Sequence, residues 1–299
     1  MGKKRRFLID RAELPYDAFV PDPSWLCPVD EPEKTPAVKC VLIHDNFQNY
    51  KGYSIPKAQL VIADIPYNIG TDFYASRPDW YVDGDNKNGE SSKARKAAFN
   101  TDFTFNIAEY FAFCNRLLKK EPKTGEKDAP CMIVFCAFQQ IPEVIRQAEK
   151  YGFKNYIPLV FCKNYSPQVL KANMKIVGAT EYALVLYRGK LPKFRNMDED
   201  GKCHMVFNWM EWRRDGKEVP KIHPSQKPVS VLKKLIEIFT DPGDVVIDPC
   251  AGSGSTLRAA RGLGRHSYGF EVSTEFCRKA KEQMLGEEQD GRMETGSRL

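Results

Sequence analysis

The stretch that most restricts what this chain can become is Val245-Val246-Ile247-Asp248-Pro249-Cys250-Ala251-Gly252-Ser253-Gly254-Ser255-Thr256. Three β-branched residues run into an acid and a turn of small residues, and then Leu257, Ala259, Ala260 and Leu263 recur at helical spacing. The order is strand, tight loop, helix. Gly252 and Gly254 lack a Cβ, so a ligand can approach the backbone there. The N–H groups that open the helix, with the hydroxyls of Ser255 and Thr256, can hold an anionic or polar group. A dinucleotide fingerprint would place its third Gly at position 257, where Leu stands, and a phosphate loop would need Lys in place of Ser255. Neither motif fits.

Further on, Ser267-Tyr268-Gly269-Phe270-Glu271 reads as a second strand ending in a carboxylate. In nucleotide-binding α/β folds an acid at that place accepts hydrogen bonds from ribose hydroxyls, so loop and acid together point to an adenosine-containing cofactor. Apolar runs at 38–43, 59–63, 132–136, 157–162 and 182–187 read as further strands. Helical patterns run over 107–118 and 141–151 and through Val231, Leu232, Leu235, Ile236 and Phe239. Alternating strands and helices predict a largely parallel, doubly wound α/β sheet.

One domain over 37–284 suits this length, with a charged, Pro-rich arm at 1–36 and a disordered polar tail at 285–299. The nine cysteines are scattered without a Cys-x-x-Cys pair, which reads as reduced core residues and no metal site. No apolar run approaches the ~20 residues of a membrane span, so the chain is expected to be soluble and cytoplasmic. A formal charge of +6 permits a polyanionic partner without requiring one.

Several strand ends carry chemistry. Asp45, after the first strand, is a ligand for a purine amino group or a cap for the next turn. Asp64-Ile65-Pro66-Tyr67 sets an acceptor, a stiffened bend and an aromatic ring at the edge where such sheets bind ligands, and alone it is also an ordinary strand exit. The polar stretch 79–100 reads as a mobile, substrate-contacting loop. Residues 188–222 hold nine basic residues against six acids, among them Arg195, Arg213 and Arg214, interleaved with Trp209 and Trp212. That mixture suits nucleic acid and also suits a solvated excursion. His223-Pro224-Ser225-Gln226-Lys227-Pro228 then opens a helix.

Asp64-Ile65-Pro66-Tyr67, the His223 to Pro228 motif and the Asp248 to Thr256 loop, in that order, resemble the β-class amino-methyltransferases of DNA. The resemblance implies a circularly permuted, seven-stranded, Rossmann-like methyltransferase sheet with inserted DNA-contacting loops, and S-adenosylmethionine as cofactor. Asp64, Ile65, Pro66 and Tyr67 would be catalytic. Asp45, Lys227, Asp248, Gly252, Gly254, Ser255, Thr256 and Glu271 would hold the cofactor. Arg195, Trp209, Trp212, Arg213 and Arg214 would contact double-stranded DNA, and a homodimer is compatible with the family. Asp at the first motif position is similar to the adenine-modifying members. Cytosine-N4 or RNA methylation, or a catalytically impaired DNA-binding relative, are the alternatives. Ile65 departs from the usual first Pro and gives the turn a hydrogen-bond donor.

Overall fold

A computed structural model describes residues 38–67, 105–123, 128–165, 175–176, 178–198, 200–223 and 225–286. The expected arm, the loop at 79–100 and the tail beyond 286 lie outside the described residues.

Eight strands form one sheet: β1 (Cys40–Ile43), β2 (Leu60–Asp64), β3 (Cys131–Cys136), β4 (Asn155–Lys163), β5 (Thr180–Tyr187), β6 (Trp209–Trp212), β7 (Val245–Asp248) and β8 (His266–Phe270). Their order is β1-β8-β7-β2-β3-β5-β4-β6, with β5 alone antiparallel to its neighbours. The two strands nearest the C-terminus thus insert between β1 and β2, which brings the Asp248 loop beside Asp64. The sheet holds one strand more than expected. The addition is β6, inside the segment read as an irregular excursion, and its alternation turns Met210 and Trp212 inward while Trp209 and Glu211 face out.

Alternation along the strands separates two cores, one on each side of the sheet. Leu60, Ile62, Ile133, Phe135 and Val246 pack on one face beneath α3 (Val229–Phe239) and α4 (Ser255–Gly262). Val61, Ala63, Met132, Val134 and Ile247 pack on the other beneath α1 (Ile107–Leu117) and α2 (Ile141–Lys150). After α5 (Thr274–Lys279) a π-helical turn covers Ala280–Leu285. Leu285, expected to open the tail, is buried there against the side of the loop glycine Gly254.

An ion-pair cluster ties the amino ends of β2, β3 and β7 together. Lys119 meets Asp244, Lys193 bridges Asp241 and Asp244, and Arg195 reaches Asp128 and Asp241 at 2.8 Å each. Arg195, expected on DNA, therefore has its guanidinium held by two carboxylates at the edge opposite Asp64. Its position is that of a staple.

Candidate active site

Period-two alternation continues past the apolar core and sets the site. Counting from Ile62 puts Asp64 on the α3 face, and pairing carries that face across Phe135 on β3, Glu181 on β5, Lys163 on β4 and Trp212 on β6. The carboxyl edge of the sheet thus presents a row of an acid, an aromatic ring, an acid, a base and an indole.

Lys227 enters this row from above. Gln226 fixes the loop that carries it, accepting from Ile222 N–H and donating to Pro220 O at 2.9 Å, while Asp215 caps α3 through Val229 N–H at 2.9 Å. Lys227 Nζ is ion-paired with Asp64 Oδ2 and lies 5.5, 5.6 and 5.8 Å from the ring centroids of Tyr67, Phe135 and Trp212. The other carboxylate oxygen, Asp64 Oδ1, is buried without a hydrogen-bond partner among the described residues. Burial pushes the Asp64 carboxyl above its ordinary value, with the Lys227 ammonium opposing that rise.

The turn after Asp64 absorbs the departure from Pro. Ile65 N–H donates to Phe135 O at 3.2 Å, a ladder bond that proline could not make, and the Ile65 side chain is buried in the α1 core. Pro66 O accepts from Gln140 Nε2 at 2.9 Å, which pins the bend from the β3 side. Tyr67 then projects so that its hydroxyl donates to Glu181 Oε2 at 2.8 Å. Burial, then the charges of Asp64 and Glu181, push the phenol well above its ordinary value, so it stays a neutral donor.

On the neighbouring strand β7, the Gly-rich loop makes the second half of the site. Gly252 N–H donates to Glu271 Oε2 at 2.9 Å, and Ser273 N–H donates to Glu271 Oε1 at 2.6 Å, which clamps loop and acid together across β7 and β8. Gly252 has φ +51° and nothing within 4 Å of where a Cβ would stand. That open, side-chain-free surface beside a carboxylate fits an adenosyl group. The Leu at position 257 also has its explanation, since a Cβ on Gly269 would meet Leu257 Cδ1 at 2.7 Å. Here the glycine that lets helix and sheet approach sits on the strand.

Asp248, Ser255, Thr256 and Asp45, also expected at the cofactor, each have partners within the protein or are buried. Asp248 is buried and accepts from Cys250 N–H at 2.9 Å, and burial pushes its carboxyl up to about 7. Ser255 and Thr256 are buried as well, Ser255 Oγ lying 2.9 Å from Ser253 Oγ. Asp45 takes its capping role, with Oδ1 accepting from Asn46 N–H and Asn49 and Oδ2 from the Tyr53 hydroxyl, all at 2.7 Å. Burial works against ionisation of Asp45, but those bonds outweigh it and hold the carboxyl below its ordinary value.

The expected DNA contacts divide. Trp212 is 2% exposed and forms the floor beneath Lys163 and Lys227, so it is unavailable to a duplex. Trp209 is 55% exposed and stacks on Phe207 at 6.3 Å between centroids. Arg213 is exposed and paired with Glu211, and Arg214 lies 3.8 Å from the Tyr165 ring centroid. Sequence reasoning missed Lys163 and Glu181. The signal was present as two charges on the inward positions of otherwise apolar strands.

A side-chain-free loop clamped to an acid after β7 and an ion-paired carboxylate with one unpartnered oxygen on β2 lie side by side at the carboxyl edge of the sheet, where doubly wound folds bind their ligands. The chain belongs to the DNA methylase family of N6 and N4 amino-methyltransferases, whose sequence pattern matches residues 58–282. It is similar to the DNA adenine methyltransferase YhdJ of Escherichia coli (strain K12), 27% identical over 257 residues that make up 80% of each chain. Its fold is like that of the M1.HpyAVI–SAM complex, with TM-score 0.54 and 22% identity over 82% of this chain and 98% of that one. It is also like that of the PvuII DNA methyltransferase (cytosine-N4-specific), with TM-score 0.55 and 16% identity over 83% and 89%. Among the described residues no group of acids, cysteines and histidines could hold a metal ion, and no helix is long and apolar enough to cross a membrane.

Proposed function

We propose that this DNA methylase uses S-adenosylmethionine to methylate the exocyclic N6 amine of adenine, on a base turned out of the duplex. The observation that carries the reading is Asp64, whose Oδ2 is held by Lys227 while Oδ1 is buried and unpartnered. An exocyclic amine is a poor nucleophile because its lone pair is delocalised into the ring. An N–H donated to Asp64 Oδ1 and a second to the Ile65 carbonyl favour the pyramidal nitrogen that can attack. When bound, S-adenosylmethionine would supply an electrophilic methyl carbon on its sulfonium, the S–C bond breaking as the N–C bond forms and leaving the neutral thioether; Glu271 would hold its ribose, and the backbone at Gly252 and Gly254 would lie against it. As the N–C bond forms, the nitrogen sheds a proton, and Asp64, its basicity raised by burial, is placed to take it. Tyr67 offers a face for the base to stack on. Trp209, Arg213 and Arg214 face solvent and supply contacts to DNA.

Adenine is favoured over cytosine by Asp at the head of the motif and by the likeness to an adenine methyltransferase over most of the chain. The test is incubation with labelled S-adenosylmethionine and duplex DNA, followed by digestion to nucleosides. Label in N6-methyl-2′-deoxyadenosine is expected. Label in N4-methyl-2′-deoxycytidine would move the assignment to cytosine, and no label would mark an impaired site.

A further inference from the structure

Lys163 and Glu181 lie on adjacent strands of the antiparallel pair β4 and β5, at the edge where strands of this region would ordinarily end in solvent. Lys163 has only 4% of its side chain exposed and Glu181 17%. Burying such a pair costs desolvation that mutual attraction scarcely repays, so it is poor evidence of a stabilising role. Its contacts point elsewhere. Lys163 Nζ pairs with Glu181 Oε1 and lies 4.9 Å from the Trp212 ring centroid, and Trp212 Nε1 donates to the Tyr165 hydroxyl at 3.1 Å. The remaining oxygen, Glu181 Oε2, accepts the Tyr67 hydroxyl at 2.8 Å.

Tyr67 follows a bend, and its ring turns about two side-chain torsions that the backbone does not fix. A hydroxyl held by a fixed, charged acceptor removes that freedom. Lys163, itself set over the Trp212 ring, holds the acceptor in turn. Burial pushes the Glu181 carboxyl up, but the ammoniums of Lys227 and Lys163 outweigh it and keep the acid ionised, hence a strong acceptor.

We infer that Glu181 and Lys163 are positioning residues that act through the Tyr67 hydroxyl, aiming the ring at the base whose amine Asp64 receives. This rests on the methyl-transfer reading and adds to it two residues remote from the sequence motif. Nothing in the inference requires either side chain to touch the base.

The test is a double-mutant cycle read by single-turnover methyl transfer. One arm is Tyr67→Phe, which removes the hydroxyl and leaves the ion pair whole. The other is Glu181→Leu with Lys163→Met, which removes both charges together so that neither is buried alone. Each arm is expected to slow transfer about tenfold, the equivalent of one hydrogen bond to a charged group, with the affinity for S-adenosylmethionine unchanged. Combined, the arms should lose no more than either alone. Glu181→Gln with Lys163→Met keeps an acceptor for the hydroxyl and should recover most of the rate. Losses that multiply in the combined variant, or no recovery with Gln, would overturn the inference. A parent chain that transfers no methyl group would overturn the methyl-transfer reading and this inference with it, whereas an active parent with multiplying losses would overturn this inference alone.

Discussion

Lys227→Met isolates what the ammonium does for Asp64. Methionine approximates the aliphatic stem, so packing against Phe135 and Trp212 is largely kept and the charge is what is lost. Breaking a buried ion pair by removing one partner costs on the order of 3–5 kcal/mol. Lys227 has 7% of its side chain exposed but Asp64 has 26%, so partial solvation argues for the low end, about 3 kcal/mol. The dependence on pH is diagnostic. Burial already raises the Asp64 carboxyl above the ordinary 3.8, and without the opposing ammonium it must rise further. Stability from a carboxyl raised on folding is fully present below its unfolded value and is lost as pH rises through its folded value. Urea denaturation should therefore show the full deficit at about pH 8 and a smaller one at about pH 5. Adding Asp64→Asn should recover most of the loss, because no charge is then left unpaired. A deficit independent of pH, or untouched by Asp64→Asn, would refute the reasoning.

Gly254 has φ +76°, and a Cβ there would meet Ala280 Cβ at 3.5 Å, so Gly254→Val should destabilise the fold by roughly 1–3 kcal/mol as well as weaken cofactor binding. A variant with the parent's melting curve would contradict this. Arg213→Ala with Arg214→Ala should lower the slope of log K against log salt for DNA by about two units, whereas Arg195→Ala should leave that slope alone and lower stability by about 2 kcal/mol. Filter binding over a salt series and urea denaturation check the two halves. Asp248, raised to about 7 from 3.8 by burial, should make stability fall by roughly 4 kcal/mol as pH rises through that window. Asp248→Asn should flatten the profile, and an equally sloped profile in the variant would count against a buried, proton-binding Asp248.

What the sequence disclosed was local. The Asp248 to Thr256 loop, Glu271 and the Asp64 turn were legible because each is a contiguous strand-end motif whose residue types follow from its chemistry. Lys163 and Glu181 were not, because they lie on separate strands and Glu181 meets Tyr67, and Lys163 meets Glu181, only through the antiparallel insertion of β5 between β3 and β4. Trp212 looked like a DNA wedge because it stands in a basic run. Alternation within β6 sets it inward, and a period-two reading of Trp209 to Trp212 would have found both the strand and the floor. Arg195 shows the limit of counting charge. Its partners Asp128 and Asp241 are far away in sequence, and only the fold brings them to its guanidinium. The glycine needed for close packing of α4 was sought at 257 on the helix and stands at 269 on the strand, a substitution across a contact that spacing on one element cannot reveal.

The central claim is that Asp64 receives the target amine as it becomes nucleophilic, and single-turnover methyl transfer by Asp64→Ala tests it most directly. An acceptor used mainly in the transition state lowers the rate without lowering affinity to match. The rate should fall on the order of 10² to 10³, by analogy with the loss of one oxyanion-hole donor. Binding of S-adenosylmethionine, and of a duplex with the target base mismatched and therefore easier to flip, should change far less. Transfer at the parent rate by Asp64→Ala would contradict the account at its centre.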